Sequence, residues 1–249
     1  MITIVAPAKI NLFLRICGKT DAGYHLLDST IIFTRFGDHL TIEPANDDQL
    51  VIIGEFASGL ENADDNLVMM ALRGFRAAGG VIGGLSIKLE KNIPVGAGLG
   101  GGSADAAALL GAVNRLSETP LGKDMTPVDL DFAGAVLLVN PRISLSTKDV
   151  FTRFTGQMSG FAGSLSDLDA AGMVRLGNDL TTAAIELAPA INICLDRLAR
   201  SKGVIATAMS GSGASCFALF DHIDNAKIAA TEFENTGYWA RASMISKPN

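Results

Sequence analysis

The chain has 249 residues, 48% of them apolar and 18% charged, a composition that can bury a core and excludes an intrinsically disordered chain. The 20 Lys plus Arg against 26 Asp plus Glu leave a net charge of -6 with no basic run, which does not suit a nucleic-acid partner. Apolar stretches such as Ala106 to Val113 and Phe132 to Val139 fall far short of the ~20 residues that span a bilayer, so no membrane is expected.

The N-terminus, Met1-Ile-Thr-Ile-Val-Ala-Pro, enters a strand-like pattern without the charged and apolar regions of a signal peptide, which makes the cytoplasm the expected compartment. Ile2 to Val5 and Ile10 to Ile16 read as strand and meet turn residues at Gly18, Asp21 and Gly23. Leu27 to Phe36, His39 to Glu43 and Val51-Ile-Ile continue in the same way, an antiparallel opening. Asn62 to Asn66 then supplies capping residues for a helix that begins at Leu67 and ends at Gly79-Gly80. Leu85, Ile87 and Leu89 alternate with Ser86, Lys88 and Glu90, the period of a half-buried strand.

That strand runs into Asn92-Ile-Pro-Val-Gly-Ala-Gly-Leu-Gly-Gly-Gly, after which Ser103 is expected to cap a helix from Ala104 to Leu116. Ser117 to Asp131 is polar and Pro-bearing and marks a domain boundary, dividing residues 1–126 from 127–249. Beyond it come a buried strand at Ala133 to Val139 and a helix from Leu180 to Ala199 interrupted at Pro189. Two apolar runs flank Met209-Ser-Gly-Ser-Gly-Ala. Cys17, Cys194 and Cys216 are scattered, as are His25, His39 and His222, so neither a disulfide framework nor a zinc site is suggested. The thiols are expected to be buried and inert.

Five of the seven residues from Gly96 to Gly102 are glycine, which lets backbone amides approach a ligand closely. The loop opens into a helix N-terminus, whose unpaired N–H groups and dipole favour an anion, and a phosphate is the natural occupant. A flexible strand-to-helix turn is the plain alternative. No Gly-x-x-x-x-Gly-Lys-Ser/Thr occurs, so a Walker loop is absent. Gly96, Gly98 and Gly101 fit the dinucleotide spacing Gly-x-Gly-x-x-Gly, with Glu118 about twenty residues on. The strand before them carries Lys88, Glu90 and Lys91 instead of a continuous apolar run, so a dinucleotide enzyme ranks second.

The run Pro94-Val-Gly-Ala-Gly-Leu-Gly-Gly-Gly-Ser-Ala-Asp-Ala-Ala-Ala resembles the phosphate loop of the GHMP kinases. Ala6-Pro-Ala-Lys-Ile-Asn-Leu, Asp21-Ala-Gly-Tyr-His-Leu-Leu and Met209-Ser-Gly-Ser-Gly-Ala-Ser-Cys-Phe resemble segments of the same family in the same order. The resemblance covers nearly the whole chain. It implies an α/β (α+β) two-domain fold with the active site in the interdomain cleft. It also implies a small-molecule kinase that uses ATP and Mg2+ to phosphorylate the 2-hydroxyl of a cytidine-diphosphate-linked methylerythritol, in non-mevalonate isoprenoid precursor synthesis.

Residue by residue, Lys9 matches the family's catalytic lysine, against the alternative of a solvated surface side chain. Asn11 matches a substrate-side Asn that orients the acceptor hydroxyl, or is a turn residue. Tyr24 and His25 match the pair used on cytosine, with Phe151 as a second aromatic or as core packing. Asn66 and Lys91 match positions lining an adenosine pocket. Pro94, Gly96, Gly98, Leu99, Gly100, Gly101, Gly102, Ser103 and Ala104 form the matching phosphate loop. Ser103 and Asp105 stand where a hydroxyl or carboxylate would reach Mg2+, although Asp105 would equally serve as a partner of the helix dipole. Ser210, Gly211, Ser212 and Gly213 read structurally as a hairpin turn, and by resemblance close on the phosphates.

One departure stands out. Resembling kinases carry a Gly-Ala-Asp-Val-Pro stretch whose Asp is the presumed general base, between a second helix and a following strand. Here Asn114-Arg-Leu-Ser-Glu-Thr-Pro-Leu-Gly passes directly into Lys123-Asp-Met-Thr-Pro-Val. Asp124, Asp129 and Asp131 lack the motif's context, so no catalytic Asp is assigned. Loss of a helix and a buried strand should cost more than the ~5 to 15 kcal/mol of a domain's stability, which favours an omission from the sequence over a deletion.

Overall fold

The computed structural model describes residues 1–60, 65–117, 132 and 134–246, the side chains of 115–117 excepted. Gly122, Asp124, Asp129 and Asp131, the expected boundary at 126/127 and the junction where the Asp motif is lacking all lie outside the described residues, as does Glu118.

The first elements are β1 (Ile2–Asn11), β2 (Arg15–Lys19), β3 (His25–Asp28), β4 (Ile31–Ala45) and β5 (Gln49–Ile53). There follow α1 (Leu67–Ala77), β6 (Gly84–Glu90), α2 (Gly101–Ser117), β7 (Ala135–Asn140), α3 (Thr147–Arg153) and α4 (Ala170–Arg175). The last are α5 (Thr181–Leu187), α6 (Ala190–Leu198), β8 (Val204–Met209), β9 (Cys216–Phe220), α7 (Ile223–Glu234) and β10 (Trp239–Met244). None of the described helices is long and apolar enough to cross a membrane.

The chain divides into two units that interleave along the sequence. One comprises Met1–Ala8, Phe36–Val95 and Gly100–Pro127, the other Lys9–Arg35, Gly96–Leu99 and Val128–Asn249. A single cut after residue 126 therefore misplaces two segments, Lys9–Arg35 and Gly96–Leu99.

In the first unit the sheet order is β1-β4-β6-β5. Pro7, which lacks an N–H, sits on the edge strand β1, where a missing ladder bond is tolerated. β6 pairs antiparallel with β4, Ile42 opposite Ile87, and parallel with β5, Leu50 opposite Ile87. The parallel pair requires a crossover, which α1 supplies. Leu85, Ile87 and Leu89 are buried as their alternation foretells, packed with Leu40, Ile42, Leu72, Phe75, Leu109 and Val113. Asn66 is the N-cap of α1, its Oδ1 accepting from the N–H of Val68 at 2.9 Å. α1 ends where Gly79 turns to a φ of 95°.

In the second unit the sheet order is β10-β7-β9-β8, with all three of its pairings antiparallel. β7 and β9 are buried along their whole length, as their unbroken apolar runs require. Pro189 separates α5 from α6 at the expected place. α5 to α7 pack their Ala- and Leu-bearing faces into one core with Leu137, Val139, Phe220 and Phe233. Cys194 and Cys216 are buried, whereas Cys17 is only half-buried, a correction to the expectation that all three would be.

Candidate active site

Within the second unit, two glycine-bearing loops meet backbone to backbone. Gly96–Leu99 is held by bonds from the N–H of Ser215 to the Ala97 carbonyl at 3.1 Å and from the N–H of Lys9 to the Leu99 carbonyl at 2.9 Å. The hairpin loop Ser210–Gly213 joins β8 to β9 and closes on itself, Gly213 N–H donating to the Ser210 carbonyl at 3.0 Å. Gly98 has a φ of 74°, and a Cβ on it would lie 2.7 Å from the Gly213 carbonyl oxygen and closer still to that of Ser210. Only glycine satisfies both the angle and the approach.

Lys9 and Asn11 reach this junction from β1, two residues apart and hence on one side of the strand. The Lys9 ammonium donates to Asn11 Oδ1 and to the Gly98 carbonyl oxygen, the latter at 3.2 Å. Asn11 is fixed in turn, its Nδ2 donating to Ser29 Oγ at 2.7 Å and its N–H to Ser210 Oγ at 3.3 Å. A Cβ on Gly211 would stand 3.4 Å from Lys9 Nζ and 3.5 Å from Asn11 Oδ1. Burial lowers the Lys9 pKa to about 8. The arrangement presents one cation and one amide among tightly turned backbone.

In the first unit, α2 starts at Gly101, because the N–H of Ala104 bonds the Gly100 carbonyl at 2.9 Å. Gly100, with a φ of 68°, therefore occupies the cap position, which corrects the expectation that Ser103 would. The N–H groups of Gly101, Gly102 and Ser103 have no acceptor within the helix, and Gly102 and Ser103 are exposed. These are the groups that bind anions at helix starts.

Beneath that helix start lies a cluster of which only Lys91 and Asp105 drew notice in the sequence. Lys91 is 3% exposed, and its ammonium donates to Asp38 Oδ2 and, at 2.6 Å, to Asp105 Oδ2. Asp38 Oδ1 also accepts from the N–H groups of Asn92 and Ile93 at 2.6 and 2.8 Å, securing the chain just before Pro94. Burial, outweighing the attraction of Lys91 and abetted by the charge of Asp38, raises the Asp105 pKa to about 7. The Lys91 ammonium is thus committed to carboxylates and is no free lining of a nucleotide pocket. The Asn66 side chain is likewise held in capping α1.

A third feature lies in the second unit. His25 stacks on Phe151, centroids 4.9 Å apart and planes 27° from parallel. They border a cleft of about 530 Å3 with Lys19, Lys148, Phe154 and Met158 on its walls. Burial, and then the nearby Lys19 charge, lower the His25 pKa. Tyr24 is 76% exposed and does not line the cleft. The expected trio is therefore brought together only in part.

Three supporting residues carry no assigned role in the sequence, although Thr147 ends the run Val139-Asn-Pro-Arg-Ile-Ser-Leu-Ser-Thr and Asn178 begins Asn178-Asp-Leu, two segments that share the family resemblance. Asn178 donates through Nδ2 to the carbonyls of Met209 and Gly211 at 2.9 and 2.8 Å, clamping the hairpin loop. Thr147 Oγ1 lies 3.0 Å from Ser212 Oγ. Asp38 is the third. Each sits far along the chain from what it holds, so spacing alone gave no signal.

Residues 66–134 match the GHMP kinases N terminal domain and residues 162–238 the GHMP kinases C terminal family. The 4-diphosphocytidyl-2-C-methyl-D-erythritol kinase of Brucella abortus is 38% identical over 280 residues, covering 96% of this chain and 93% of that one. The protein of the same name from Parvibaculum lavamentivorans is 36% identical over 283 residues, with 97% of each covered. Both alignments are longer than the 249 residues of this chain, so the relatives carry residues without a counterpart here. Among solved structures, a 4-(cytidine 5'-diphospho)-2C-methyl-D-erythritol kinase superposes with a TM-score of 0.81 at 27% identity, covering 99% of this chain and 100% of its own. A mevalonate kinase with a TM-score of 0.65, 11% identity and coverage of 99% and 100% shares the fold.

Proposed function

Since the chain belongs to the GHMP kinase family, among its 4-diphosphocytidyl-2-C-methyl-D-erythritol kinases, we infer that it transfers the terminal phosphate of ATP to the 2-hydroxyl of that acceptor. The step belongs to non-mevalonate isoprenoid precursor synthesis, and the cytoplasm is the compartment proposed for it, with no nucleic-acid or membrane partner.

The observation that carries the reading is the Lys9 ammonium on the Gly98 carbonyl, beside Asn11 and Gly211. Phosphoryl transfer asks a protein for alignment and charge neutralisation more than for covalent chemistry. Lys9 supplies the cation that stabilises charge on the moving phosphoryl group and the acceptor oxygen, and Asn11 orients the hydroxyl. In the first unit the amides of Gly101 to Ser103, unpaired at the start of α2, hold phosphate; in the second, the Gly96–Leu99 loop, entered from Pro94, and the Ser210–Gly213 hairpin offer the amides not already bonded, since those of Ser210 and Gly213 are engaged. Phe151, His25 and the outward Tyr24 receive the cytosine ring. Of the two adenosine-pocket positions, Lys91 is 3% exposed with its ammonium on Asp38 and Asp105, its N–H on the Ile53 carbonyl and its own carbonyl on the Phe56 N–H, which leaves Asn66 as the one open to a base.

Mg2+ would supply neutralisation of phosphate charge when bound. Asp105 does not fit as its ligand, being 2% exposed with Oδ2 on Lys91. The exposed Ser103 hydroxyl fits, in keeping with a metal that takes most of its ligands from phosphates and water. Among the described residues no group of three His, Cys, Asp or Glu converges to hold an ion.

A coupled ADP-release assay with the cytidine-linked acceptor tests the reading. Lys9→Ala should lose about 10²-fold or more in kcat, and undiminished turnover would remove Lys9 from the mechanism. Turnover of mevalonate or homoserine in its place would move the assignment to another GHMP kinase. The longer alignments favour one second reading, a nucleotide-binding protein without turnover. An intact mass of 25.9 kDa with no ADP release would establish it, and a heavier protein would show that the sequence omits a segment.

A further inference from the structure

The cleft beside His25 and Phe151 has two cations on its walls, Lys19 and Lys148, and neither ammonium has an ion-pair partner among the described residues. A site meant for an uncharged ring has no need of them, because two like charges at one opening repel until an anion arrives. Lys19 belongs to β2, antiparallel to β3 and directly opposite His25 in register. Lys148 is three residues before Phe151 on α3, which puts the two side chains one turn apart on one face. The aromatic pair and the cations therefore come from the same two places, the β2–β3 pair and α3.

The chain leading into α3 also touches both phosphate-type loops. Leu145 N–H bonds the Gly96 carbonyl at 3.4 Å, and Thr147 reaches Ser212. Along this segment Lys148 falls between the ring-binding Phe151 and the loops, where a linker between a base and a reacting hydroxyl would run.

We propose that Lys19 and Lys148 bind the diphosphate of the acceptor, so that this site selects nucleoside diphosphate esters over nucleosides. The proposal rests on the kinase reading above and adds the residues that set its specificity.

Calorimetric titration of the wild-type protein with cytidine, CMP and CDP, repeated on Lys19→Ala, Lys148→Ala and the double variant, reads the phosphate increment apart from the ring. CDP should bind more tightly than cytidine, and each lysine removed should shrink that ratio about tenfold while cytidine affinity holds. Lys148→Arg should keep the ratio. In turnover the acceptor KM should rise in the double variant with kcat within about twofold. An unchanged ratio in the double variant overturns the proposal, and so does a loss shared equally by cytidine. UDP and ADP serve as further ligands. A lysine-dependent increment with all three diphosphates, without turnover of the cytidine-linked acceptor, would keep the role of the lysines and remove the acceptor assignment beneath it.

Discussion

Asp105 and Lys91 face each other at 2.6 Å beneath the start of α2, with Asp38 on the same ammonium from β4. Two carboxylates share one cation in a place where all three side chains are almost wholly buried, so the second negative charge is poorly compensated and Asp105 keeps its proton to about pH 7. Unfolded, the same carboxyl releases its proton near pH 4. The folded protein therefore holds a proton that the unfolded chain has lost, and stability from this group is full below about pH 4 and declines as pH rises to about 7. The slope is at most about 1.4 kcal/mol per pH unit. Urea midpoints measured from pH 4 to 8 should show this decline, and Asp105→Asn should flatten it. An identical profile in the variant would exclude Asp105 as the source.

Lys9 works in the opposite sense. Its lowered pKa of about 8 belongs to the free protein, so kcat/KM should fall on the alkaline side with a midpoint near 8 as the charge that stabilises the transferred phosphoryl group is lost. Folding does not share this loss, because between pH 8 and 10.5 the unfolded chain binds the proton that Lys9 has released and stability rises with pH. A pH–rate profile alongside a pH–stability profile separates the two, and Lys9→Arg should abolish the limb near 8. Persistence of that limb in the Arg variant would assign it elsewhere.

Gly98→Ala should disable the site. The positive φ alone costs about 1 to 3 kcal/mol, and the new methyl would collide with the Ser210 and Gly213 carbonyls. Thermal melting should drop, and nucleotide affinity should fall with it. Gly111, within α2, has nothing near its missing Cβ. Gly111→Ala should instead stabilise by about 0.5 to 1 kcal/mol, which the same melting experiment would read with the opposite sign.

Phe151→Ala removes the stacking partner of His25. Stacking on a base is worth about 1 to 3 kcal/mol, so the acceptor KM should rise about 5- to 150-fold with little change in the KM for ATP. Steady-state kinetics with each substrate varied in turn gives both values, and a matched rise in the two would point to a structural role for the ring.

Elements with one clean periodicity were legible in the sequence. Leu85, Ile87 and Leu89 declared β6 because one face of it is wet, and Pro189 declared the break between α5 and α6. α7 was not legible, since Ala226, Ala229 and Ala230 make up most of its buried face and alanine marks a core weakly. β1 was read as two strands, yet it runs unbroken from Ile2 to Asn11 because an edge strand tolerates Pro7. In the site, the glycines signalled a close backbone approach, which Gly98 makes, whereas the partnership of Lys9 with Gly98 spans 89 residues and no spacing foretold it, the resemblance having supplied a role for Lys9 alone. Asp38, a lone acid in Phe36-Gly-Asp-His-Leu, gave no local sign that it would meet Lys91.

The interleaving of the two units bears on how the protein is made and trimmed. Because Lys9–Arg35 and Gly96–Leu99 leave one unit for the other and return, no single scission of the backbone frees both units intact. A gene fragment of residues 128–249 would lack Lys9–Arg35, whose Leu14 and Ile16 belong to the core of the second unit, and nascent chain emerging from the ribosome cannot finish the first unit before Gly100 and the helix after it have been synthesised. Completion of the second unit is accordingly a late event that draws on both ends of the polypeptide, and split or circularly rearranged versions should be sought at surface turns such as Gly237 before either loop of the site is disturbed.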